Sequence, residues 1–403
     1  YYTLLRKQIL TQRSLHKKLN PLIMKHILVV HQSAEMYGSD KALLLFLTGL
    51  DRNEYFPAVI LPGEGPLKEE LQKQGIKVIT TPVAKLHRNM FSVKNLMKFL
   101  REIRQSLKIL SELHKQYNFS IVYSNTLAVF LGMVFARREK IKHIWHVHEI
   151  IKHPKFIAAL FPFLLDKFAD IVICNSKATK ANLVQRRKGL ESKSSVVYNG
   201  LDNPLQVRES NLTKEELGFG KHDIVVTLVG RISRLKGHKW VLSTYAKFLS
   251  ESDIKLLFVG SPVPGQERYL YEAEHIISDK GLENSVKIVP FTKNLKDIWQ
   301  LTDIALMPST EAESFGLVAL EAMLAKKPVI ASDAGGLREV VEHNKTGILV
   351  KPNDEAALAN AIMELAGDPN MRKRYGDAGL KRGEAYFTVK KYVEGLTNII
   401  VQA

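Results

Sequence analysis

Cysteine and long apolar runs are scarce in this chain. Cys174 is the only cysteine among 403 residues, which excludes an internal disulfide and a cysteine-based zinc cluster and favours a reducing compartment such as the cytosol. The stretch that comes nearest to a membrane span, "FIAALFPFLL" at 156–165, contains Pro162 and is shorter than the roughly 20 apolar residues that a spanning helix needs. It predicts either a buried helix or a helix that dips into a membrane interface.

Acidic residues are scarce in one half of the chain only. The formal net charge is +17. Residues 1–202 contain 32 Lys and Arg against 15 Asp and Glu, whereas residues 203–403 contain 26 of each kind. A bias confined to one half indicates that this half faces something anionic, and the candidates are a membrane surface, a phosphorylated substrate and nucleic acid.

Several motifs of common nucleotide-binding and nucleic-acid-binding proteins are missing. None of the first strand-like runs leads into G-x-G-x-x-G with an acidic residue about 20 positions further on, and "GSPVPG" at 260–265 has the wrong spacing, which disfavours a dinucleotide-dependent oxidoreductase. No Asp-x-Asp motif follows a strand to bind a metal ion with a diphosphate. The basic residues accompany no aromatic platform, so nucleic acid is not an expected partner.

Short apolar runs rich in β-branched residues alternate with segments of helical period. The first series lies at 26–30, 57–61, 77–81, 120–124, 143–148 and 170–176, and the second at 223–230, 255–260, 286–290, 303–309, 328–333 and 347–350. Continuous apolar runs suit strands that are covered on both faces. The alternation therefore predicts parallel sheets with crossover helices, in two doubly wound, Rossmann-like α/β domains that face each other across a cleft.

The domain boundaries follow from the same pattern. We expect an N-terminal domain over 24–202 and a C-terminal domain over 203–385, joined by the Asn-rich linker "NGLDNPLQVRESN" at 199–211. Residues 1–23 look like neither a signal peptide nor a strand and are expected to be disordered or upstream of the native start. Residues 386–403 are expected to form a helix that packs back on the N-terminal domain.

Charged residues at two strand ends indicate a binding site. The run at 223–230 leads to Arg231 and Lys236, whose guanidinium and ammonium suit a diphosphate, although they could also be two solvated loop charges. In "PSTEAESFGLVALEAM" at 308–323, Glu313 precedes a predicted helix and Glu321 lies about one turn into it. The unpaired backbone N–H groups of a helix start favour an anion. The alternative is that Glu313 caps this helix while Glu321 is merely exposed.

Taken together, these motifs resemble those of retaining glycosyltransferases of family 4, also called glycosyl transferases group 1, which have the two-domain GT-B fold. That family has two glutamates separated by seven residues, as Glu313 and Glu321 are here. The segments "GRISRLKGH", "VVYNGLD", "HVHE" and "EMYGSDKALL" extend the resemblance over about residues 24–400. One departure is that Lys326 and Lys327 stand where the family usually has a glycine, between the signature helix and the next strand.

The resemblance implies roles for the C-terminal candidates. Arg231 and Lys236 would hold the donor's diphosphate, and Glu321 would accept hydrogen bonds from the ribose hydroxyls. Glu313 would contact the donor sugar and act through positioning rather than as a covalent nucleophile. Backbone N–H groups would come from Ser314, Phe315, Gly316 and Leu317.

In the N-terminal domain, His148 would face the reacting sugar and Gly38 would let the first loop approach the donor. His146 lies two residues before His148 on a strand, so it points the same way and could share its role. A lone histidine in an apolar strand is more often part of the core. The H-x-H spacing at a strand end, together with the family pattern, favours function for His148.

The resemblance therefore implies transfer of a sugar from a UDP- or GDP-linked donor to a glycan or lipid-linked acceptor, with retention of configuration and with no metal or cofactor. The setting would be the synthesis of cell-surface polysaccharide, lipopolysaccharide or glycolipid. A sugar-nucleotide epimerase or a phosphorylase on the same fold is the competing interpretation. The physical task would be to stabilise charge on the departing diphosphate, for which cations and a helix N-terminus are suited.

One basic amphipathic segment is the candidate for attraction to the inner face of the cell membrane. "SVKNLMKFLREIRQSLK" begins at Ser92 and predicts a helix that either lies on anionic lipid or packs on its sheet with a solvated outer face. The basic stripe is predicted to contain Lys94, Lys98, Arg101, Arg104 or Gln105, and Lys108. The apolar face is predicted to contain Leu96, Phe99, Leu100, Ile103, Leu107 and Leu110.

Overall fold

The computed structural model describes residues 24–83, 93–202, 212–292 and 294–403, and its framework is two parallel sheets. The first contains β1 (Lys25–His31), β2 (Tyr55–Leu61), β3 (Lys77–Thr80), β4 (Ile121–Asn125), β5 (Lys142–Val147), β6 (Ile171–Cys174) and β7 (Ser194–Val196). The second contains β8 (Ile224–Val229), β9 (Ile254–Val259), β10 (Val286–Val289), β11 (Ile304–Met307), β12 (Val329–Ser332) and β13 (Gly347–Val350).

The strand order in each sheet is that of a doubly wound fold. The orders are β3-β2-β1-β4-β5-β6-β7 and β10-β9-β8-β11-β12-β13, and in both sheets the order reverses beside the first strand. The two predicted series of strands and the predicted α/β fold are thereby confirmed. The three-residue β7 was not predicted, because a run of that length carries no measurable periodicity.

Helices connect these strands. In the first half they are α1 (Gly38–Gly49), α2 (Pro66–Lys73), α3 (Val93–Tyr117), α4 (Phe130–Glu139), α5 (Lys155–Phe168), α6 (Lys177–Arg186) and α7 (Leu190–Lys193). In the second half they are α8 (His238–Phe248), α9 (Arg268–Asp279), α10 (Leu295–Leu301), α11 (Leu317–Leu324), α12 (Leu337–Val340), α13 (Glu355–Gly367), α14 (Pro369–Tyr386) and α15 (Val389–Gln402).

Each sheet lies at the centre of its own hydrophobic core. In the first, Leu28 and Val30 of β1 pack with Val122 of β4 and with residues of α3 and α4. In the second, β8, β9 and β11 contribute side chains that pack with α8 and α13. The uninterrupted apolar runs follow from this packing, because helices cover both faces of a central parallel strand.

Residue contacts divide the chain into two compact units. The first holds the described residues up to Val147 together with Phe163–Ile173 and Leu396–Ala403. The second holds His148–Pro162 and Cys174–Gly395. The sequence places its domain boundary between 202 and 203, and that boundary stays a prediction. In the first unit, Lys25 Nζ donates to the carbonyl oxygens of Ile400, at 3.2 Å, and Val401, at 3.3 Å.

Two of the predicted segments lie partly or wholly outside the described residues. Residues 1–23 are outside them, and so is 203–211 of the predicted linker. The start of that linker is packed: Leu201 N donates to Phe387 O at 2.9 Å. A Cβ on Gly200 would lie 2.2 Å from Thr388 O, so the chain requires a glycine there.

The predicted apolar face of α3 needs a correction. Leu107 and Leu110 are buried and Ile103 packs against the same core, as predicted. Leu100, however, is 42% exposed. It lies about one helical turn before the first residue of this face that packs against the core. Its side chain is therefore exposed next to the basic residues of the helix. The side chains of Lys94 and Leu96 lie outside the described part of the helix.

The apolar stretch at 156–165 forms most of α5. Ala158, Phe161 and Leu165 are buried, whereas Phe156 and Phe163 are 55% and 42% exposed. One face of the helix therefore packs inward and the other carries exposed aromatic rings. Among the described residues, no helix combines the length and the apolar character needed to cross a membrane.

Lys326 takes the place of a glycine in the turn between α11 and β12. Its φ is +58°, and Lys327 N donates to Ala322 O at 2.9 Å. This is a left-handed helix end, which glycine adopts with least strain. The departure from the family pattern therefore keeps the turn and changes only its residue.

Candidate functional site

Neighbouring strands bring the two charged motifs to the same edge of the second sheet. β8 and β11 are adjacent and parallel, with Ala305 opposite Thr227. The segments that follow Val229 and Met307 therefore leave the sheet side by side. These carboxyl ends also flank the point where the strand order reverses, which is where open α/β sheets bind their ligands.

The cationic turn after β8 depends on two glycines. Gly237 has a φ of +77°, and a Cβ there would lie 1.9 Å from Pro308 O, so the turn can approach the end of β11 only with a glycine. Thr310 N also donates to Leu235 O at 3.0 Å. A Cβ on Gly230 would meet the methylene groups of Lys236 at 3.6 Å. The Lys236 stem therefore folds back over Gly230, toward the loop that follows β11.

Lys236 and Glu313 form an ion pair. Lys236 Nζ lies 2.5 Å from Glu313 Oε1, with the side chains 27% and 21% exposed, and Ser309 Oγ donates to the same oxygen. An ammonium has three N–H donors, so this contact leaves it able to bind a further anion. Lys236 is thus not a solvated loop charge. Arg231 is exposed, and its positive charge helps to lower the pKa of the Glu313 carboxyl group.

Glu313 is held as a carboxylate. Burial raises the pKa of its carboxyl group, but the charge of Lys236, hydrogen bonds from Lys236 and Ser309, and the charge of Arg231 together lower it below the usual 4.5. A group that is ionised throughout the neutral range cannot serve as a general acid there. It suits a role in orienting cations and hydroxyl groups.

Gly335 and Gly336 hold the backbone that carries Glu313. Gly336 N donates to Glu313 O at 2.7 Å, and Gly335 pairs with Glu313 in an isolated parallel bridge. A Cβ on Gly335 would lie 2.2 Å from Glu313 O, and one on Gly336 would lie 2.3 Å from Ser314 O. The "AGG" of the signature therefore permits close backbone packing beneath the loop.

The helix start predicted after Glu313 is present. Gly316 is the N-cap of α11, with a φ of +101° and no side-chain cap. The alternative in which Glu313 caps this helix is therefore wrong, since its carboxylate is paired with Lys236 and Ser309 instead. The first turn of α11 leaves backbone N–H groups without partners in the helix itself, and these favour an anion.

The remaining predicted residues of this loop point in different directions. Phe315 is 1% exposed, and its ring packs against Tyr198 and Phe387 at centroid distances of 6.1 and 5.6 Å. Phe315 can thus offer only its backbone to a ligand. Leu317 opens α11, and Glu321 lies one turn further along it, partly exposed.

The N-terminal candidates are positioned by the first sheet. Gly38 opens α1, in the loop after β1. His146 is fully buried in β5, with Nδ1 2.6 Å from Tyr123 Oη. His148 follows the end of β5 and is partly exposed, and its backbone N–H donates to Glu149 Oε2 at 3.0 Å. The roles of these three residues stay predictions.

Several residues around the loop were not predicted. Asn175 Nδ2 donates to Ser314 Oγ at 3.2 Å, and Thr179 Oγ1 lies 3.4 Å from Ser314 O. Glu339 accepts hydrogen bonds from the start of α6. The polar residue at the end of β6, in "CNS", is the one signal that could have indicated Asn175. Within the residues that the structure describes, no group of three or more His, Cys, Asp and Glu side chains is placed to hold a metal ion.

Comparison with known families agrees with this arrangement. Residues 38–203 match the model described as Glycosyltransferase Family 4, and residues 209–382 match that described as Glycosyl transferases group 1. The chain belongs to this glycosyltransferase family. The fold is therefore GT-B, and the resemblance drawn from the motifs is confirmed.

Curated relatives match over part of their length. A D-inositol 3-phosphate glycosyltransferase of Corynebacterium kroppenstedtii is 32% identical over 218 residues, which cover 52% of this chain and 48% of that protein. An N-acetyl-alpha-D-glucosaminyl L-malate synthase of Bacillus anthracis is 28% identical over 212 residues, covering 52% and 53%. The chain thus spans about half the length of the curated relatives it matches.

Solved structures match over nearly the whole chain. Anabaena HepE in complex with UDP and glucose has a TM-score of 0.81 and 25% identity, covering 94% of this chain and 100% of that one. Sucrose-phosphate synthase of Thermosynechococcus elongatus has a TM-score of 0.74, 20% identity and coverage of 94% and 98%. The second likeness concerns the fold alone.

Proposed function

We propose that this protein transfers a sugar from a UDP- or GDP-linked donor to a glycan or lipid-linked acceptor, with retention of configuration. The observation that carries the proposal is the Lys236–Glu313 pair beside Arg231, at the start of α11. Family membership supports it, as does the UDP bound in the related Anabaena structure. The proposed setting is the assembly of cell-surface polysaccharide, lipopolysaccharide or glycolipid.

In this proposal the residues of the second unit bind and stabilise the leaving group. Lys236 and Arg231 contact the diphosphate, on which negative charge grows as the bond to the sugar breaks. Backbone N–H groups from Ser314 to Leu317 face the same anion, and Glu321 accepts hydrogen bonds from the ribose. Lys236 and Arg231 supply the positive charge at the leaving group, and the backbone N–H groups add neutral hydrogen-bond donors, so the proposal needs no metal ion or cofactor.

The reaction proposed is a front-face displacement. The acceptor oxygen bonds to the anomeric carbon on the side from which the diphosphate departs, and the acceptor proton passes to the leaving phosphate. Glu313 then orients Lys236 and the donor sugar without forming a covalent bond. This role suits a carboxylate whose pKa is lowered by two neighbouring cations.

The first sheet supplies the remaining proposed groups. Gly38 allows the first loop to approach the donor, and His148, partly exposed after β5, contacts the reacting sugar. His146 is buried against Tyr123. We therefore assign His146 a positioning role on the strand that carries His148.

Acceptor-dependent release of nucleotide tests the function. The purified protein is incubated with UDP- and GDP-sugars, with and without glycan and lipid acceptors, after a thermal-shift screen has selected the nucleotide that stabilises it. The expected result is release of UDP or GDP only when an acceptor is present. Isomerisation of the donor without acceptor would instead support the epimerase, and phosphate-dependent cleavage of a glycan would support the phosphorylase.

Arg231→Ala provides the residue-level test. Turnover should fall by about two orders of magnitude or more, because a cation aimed at the leaving group is lost. Lys239→Ala, an exposed residue of α8, is the matched control and should keep normal turnover. Near-normal transfer by the Arg231 variant would remove Arg231 from the proposed diphosphate site.

We also propose that α3 attracts the protein to anionic membranes on the cytoplasmic side. Lys98, Arg101 and Arg104 are exposed beside Met97, which is 64% exposed, and Leu100. Such a surface combines charge attraction with apolar contact. α3 also contributes part of the excess of basic residues in the first half of the chain.

Vesicle co-sedimentation over a salt series tests this attraction. Wild-type protein should bind phosphatidylglycerol vesicles at low salt and phosphatidylcholine vesicles much less. Arg101→Glu/Arg104→Glu should bind the anionic vesicles at least about tenfold more weakly. Lys115→Glu, at the other end of α3 and paired with Glu112, is the control. Failure of the wild type to bind anionic vesicles at low salt would end the proposal.

A further inference from the structure

The carboxylate of Glu339 binds the first turn of a helix that is distant in sequence. Glu339 lies on α12, and its Oε2 accepts a hydrogen bond from Lys177 N at 2.8 Å while its Oε1 accepts one from Ala178 N at 2.8 Å. Both N–H groups belong to the start of α6, where such donors have no partner within the helix and the helix dipole favours an anion. Tyr198 Oη also donates to Oε2, at 2.9 Å.

The same start of α6 contacts the loop that carries the proposed donor site. Asn175 Nδ2 donates to Ser314 Oγ at 3.2 Å, and Asn175 Oδ1 accepts from Thr179 Oγ1 at 2.9 Å. Asn175 and Thr179 are buried. The helix start that Glu339 holds is therefore also the surface against which Ser314 is placed.

A second route joins Glu339 to this loop through the backbone. The residues just before α12, Gly335 and Gly336, pack directly against Glu313 and Ser314, with the Gly336 N to Glu313 O bond at 2.7 Å. On the other side, the ring of Tyr198 contacts Phe315 at a centroid distance of 6.1 Å. The loop is thus bounded by α6, α12 and Tyr198, and the Glu339 carboxylate joins all three.

We propose that Glu339 is a positioning residue, whose carboxylate ties α6 and Tyr198 to α12 and so sets the backbone of residues 313–316 for the nucleotide diphosphate. This inference rests on the proposed function, because the ligand it serves is the donor's diphosphate. Glu339 acts through Ser314 and Gly336 and not by contact with the substrate. A carboxylate is required since both of its oxygens accept backbone N–H groups, whereas an amide offers only one acceptor oxygen.

Glu339→Gln tests the proposal, with Glu342→Gln as the matched control. Glu342 is a neighbouring carboxylate that pairs with Lys345 and Arg382 near the surface. Binding of UDP and GDP is measured by calorimetry well below the unfolding temperature of each variant, using the nucleotide that the wild type binds more tightly. Affinity should fall about tenfold in Glu339→Gln, as for the loss of one charge-assisted hydrogen bond, and by less than about twofold in Glu342→Gln.

Tyr198→Phe distinguishes the role of the tyrosine hydroxyl group from that of its ring. This variant keeps the aromatic packing on Phe315 and removes only the hydrogen bond to Glu339, so its affinity should fall between those of the two glutamate variants. Equal nucleotide affinity in Glu339→Gln and Glu342→Gln would overturn the proposal while leaving the proposed function intact. If the wild type binds neither nucleotide, the proposed function is refuted and this inference falls with it.

Hydrogen exchange without any ligand gives an independent readout. Peptides covering 308–323 and 175–183 should exchange faster in Glu339→Gln than in the wild type, while peptides from β8 and β9 should not change. A residue that served only global stability would accelerate exchange throughout the second unit. Unchanged exchange in 308–323 would overturn the proposal by itself.

Discussion

Replacement of Lys236 by methionine should separate the stability of the site from its activity. Methionine keeps much of the stem that packs over Gly230 but removes the charge that pairs with Glu313 at 2.5 Å. Exposed ion pairs contribute about 0–1 kcal/mol, and breaking a buried pair costs about 3–5 kcal/mol. With side chains 27% and 21% exposed, this pair lies between those limits. We therefore expect a loss of about 2 kcal/mol in the free energy of unfolding.

The double variant Lys236→Met/Glu313→Gln should recover most of that stability. Glutamine carries no charge that must be left unpaired, and Ser309 can still donate to its carbonyl oxygen. The free energy of unfolding should return to within about 1 kcal/mol of the wild-type value. Turnover, in contrast, should stay about 100- to 1,000-fold below wild type in both variants, because the cation at the leaving group is still missing.

Urea unfolding at neutral pH, followed by tryptophan fluorescence, measures the free energy of unfolding. Acceptor-dependent release of UDP or GDP measures turnover. Lys239→Met is the control for removing an exposed cation from the same region and should match the wild type in both assays. If Lys236→Met has the same free energy of unfolding as the wild type, the ion pair contributes nothing to stability. Recovery of turnover in the double variant would refute the diphosphate role of Lys236.

Two further predictions concern the framework of the site and its response to acid. Gly336→Ala should lower the free energy of unfolding by about 2 kcal/mol or more, because its Cβ would lie 2.3 Å from Ser314 O. Gly63→Ala, whose Cβ would meet nothing within 4 Å, is the control and should change the free energy of unfolding little. Similar urea midpoints for the two variants would contradict the close-packing argument. Burial lowers the pKa of His143 and of His238 to about 4 from the usual 6.5. As the pH falls, the unfolded chain therefore takes up these protons before the folded chain does. The free energy of unfolding should keep its full value above pH 6.5 and fall as the pH drops toward 4. The free energy of unfolding should fall by at most about 3 kcal/mol for each histidine. A free energy of unfolding that stays constant between pH 7 and pH 5 would refute this prediction.

Much of the fold could be predicted from local sequence. Every strand in both series appears where the β-branched runs lie, because central parallel strands must be apolar on both faces. β7 could not be predicted, since its three residues have no period. Leu100 shares the predicted apolar face of α3 but is exposed, because helical spacing shows which residues share a face but not where the core ends.

The candidate site was only partly predictable. Arg231, Lys236 and the start of α11 follow from charges and glycines at strand ends, and the motif resemblance identified the family that the comparisons confirm. The pairing of Lys236 with Glu313 was not foreseen, and neither were the contacts of Asn175 and Glu339. Each joins residues far apart in the chain, and no periodicity encodes such a contact.

The amino-acid sequence by itself determined the alternating strands and helices, the charges that follow β8 and the helix start after Glu313, because each depends on residues close together in the chain. Only the tertiary structure decided that β8 lies beside β11, and hence that Lys236 meets Glu313. It likewise placed Gly335 and Gly336 beneath the loop and Glu339 at the start of α6. The physical reason is that these contacts depend on the order of strands in the sheet, which packing of the whole domain selects.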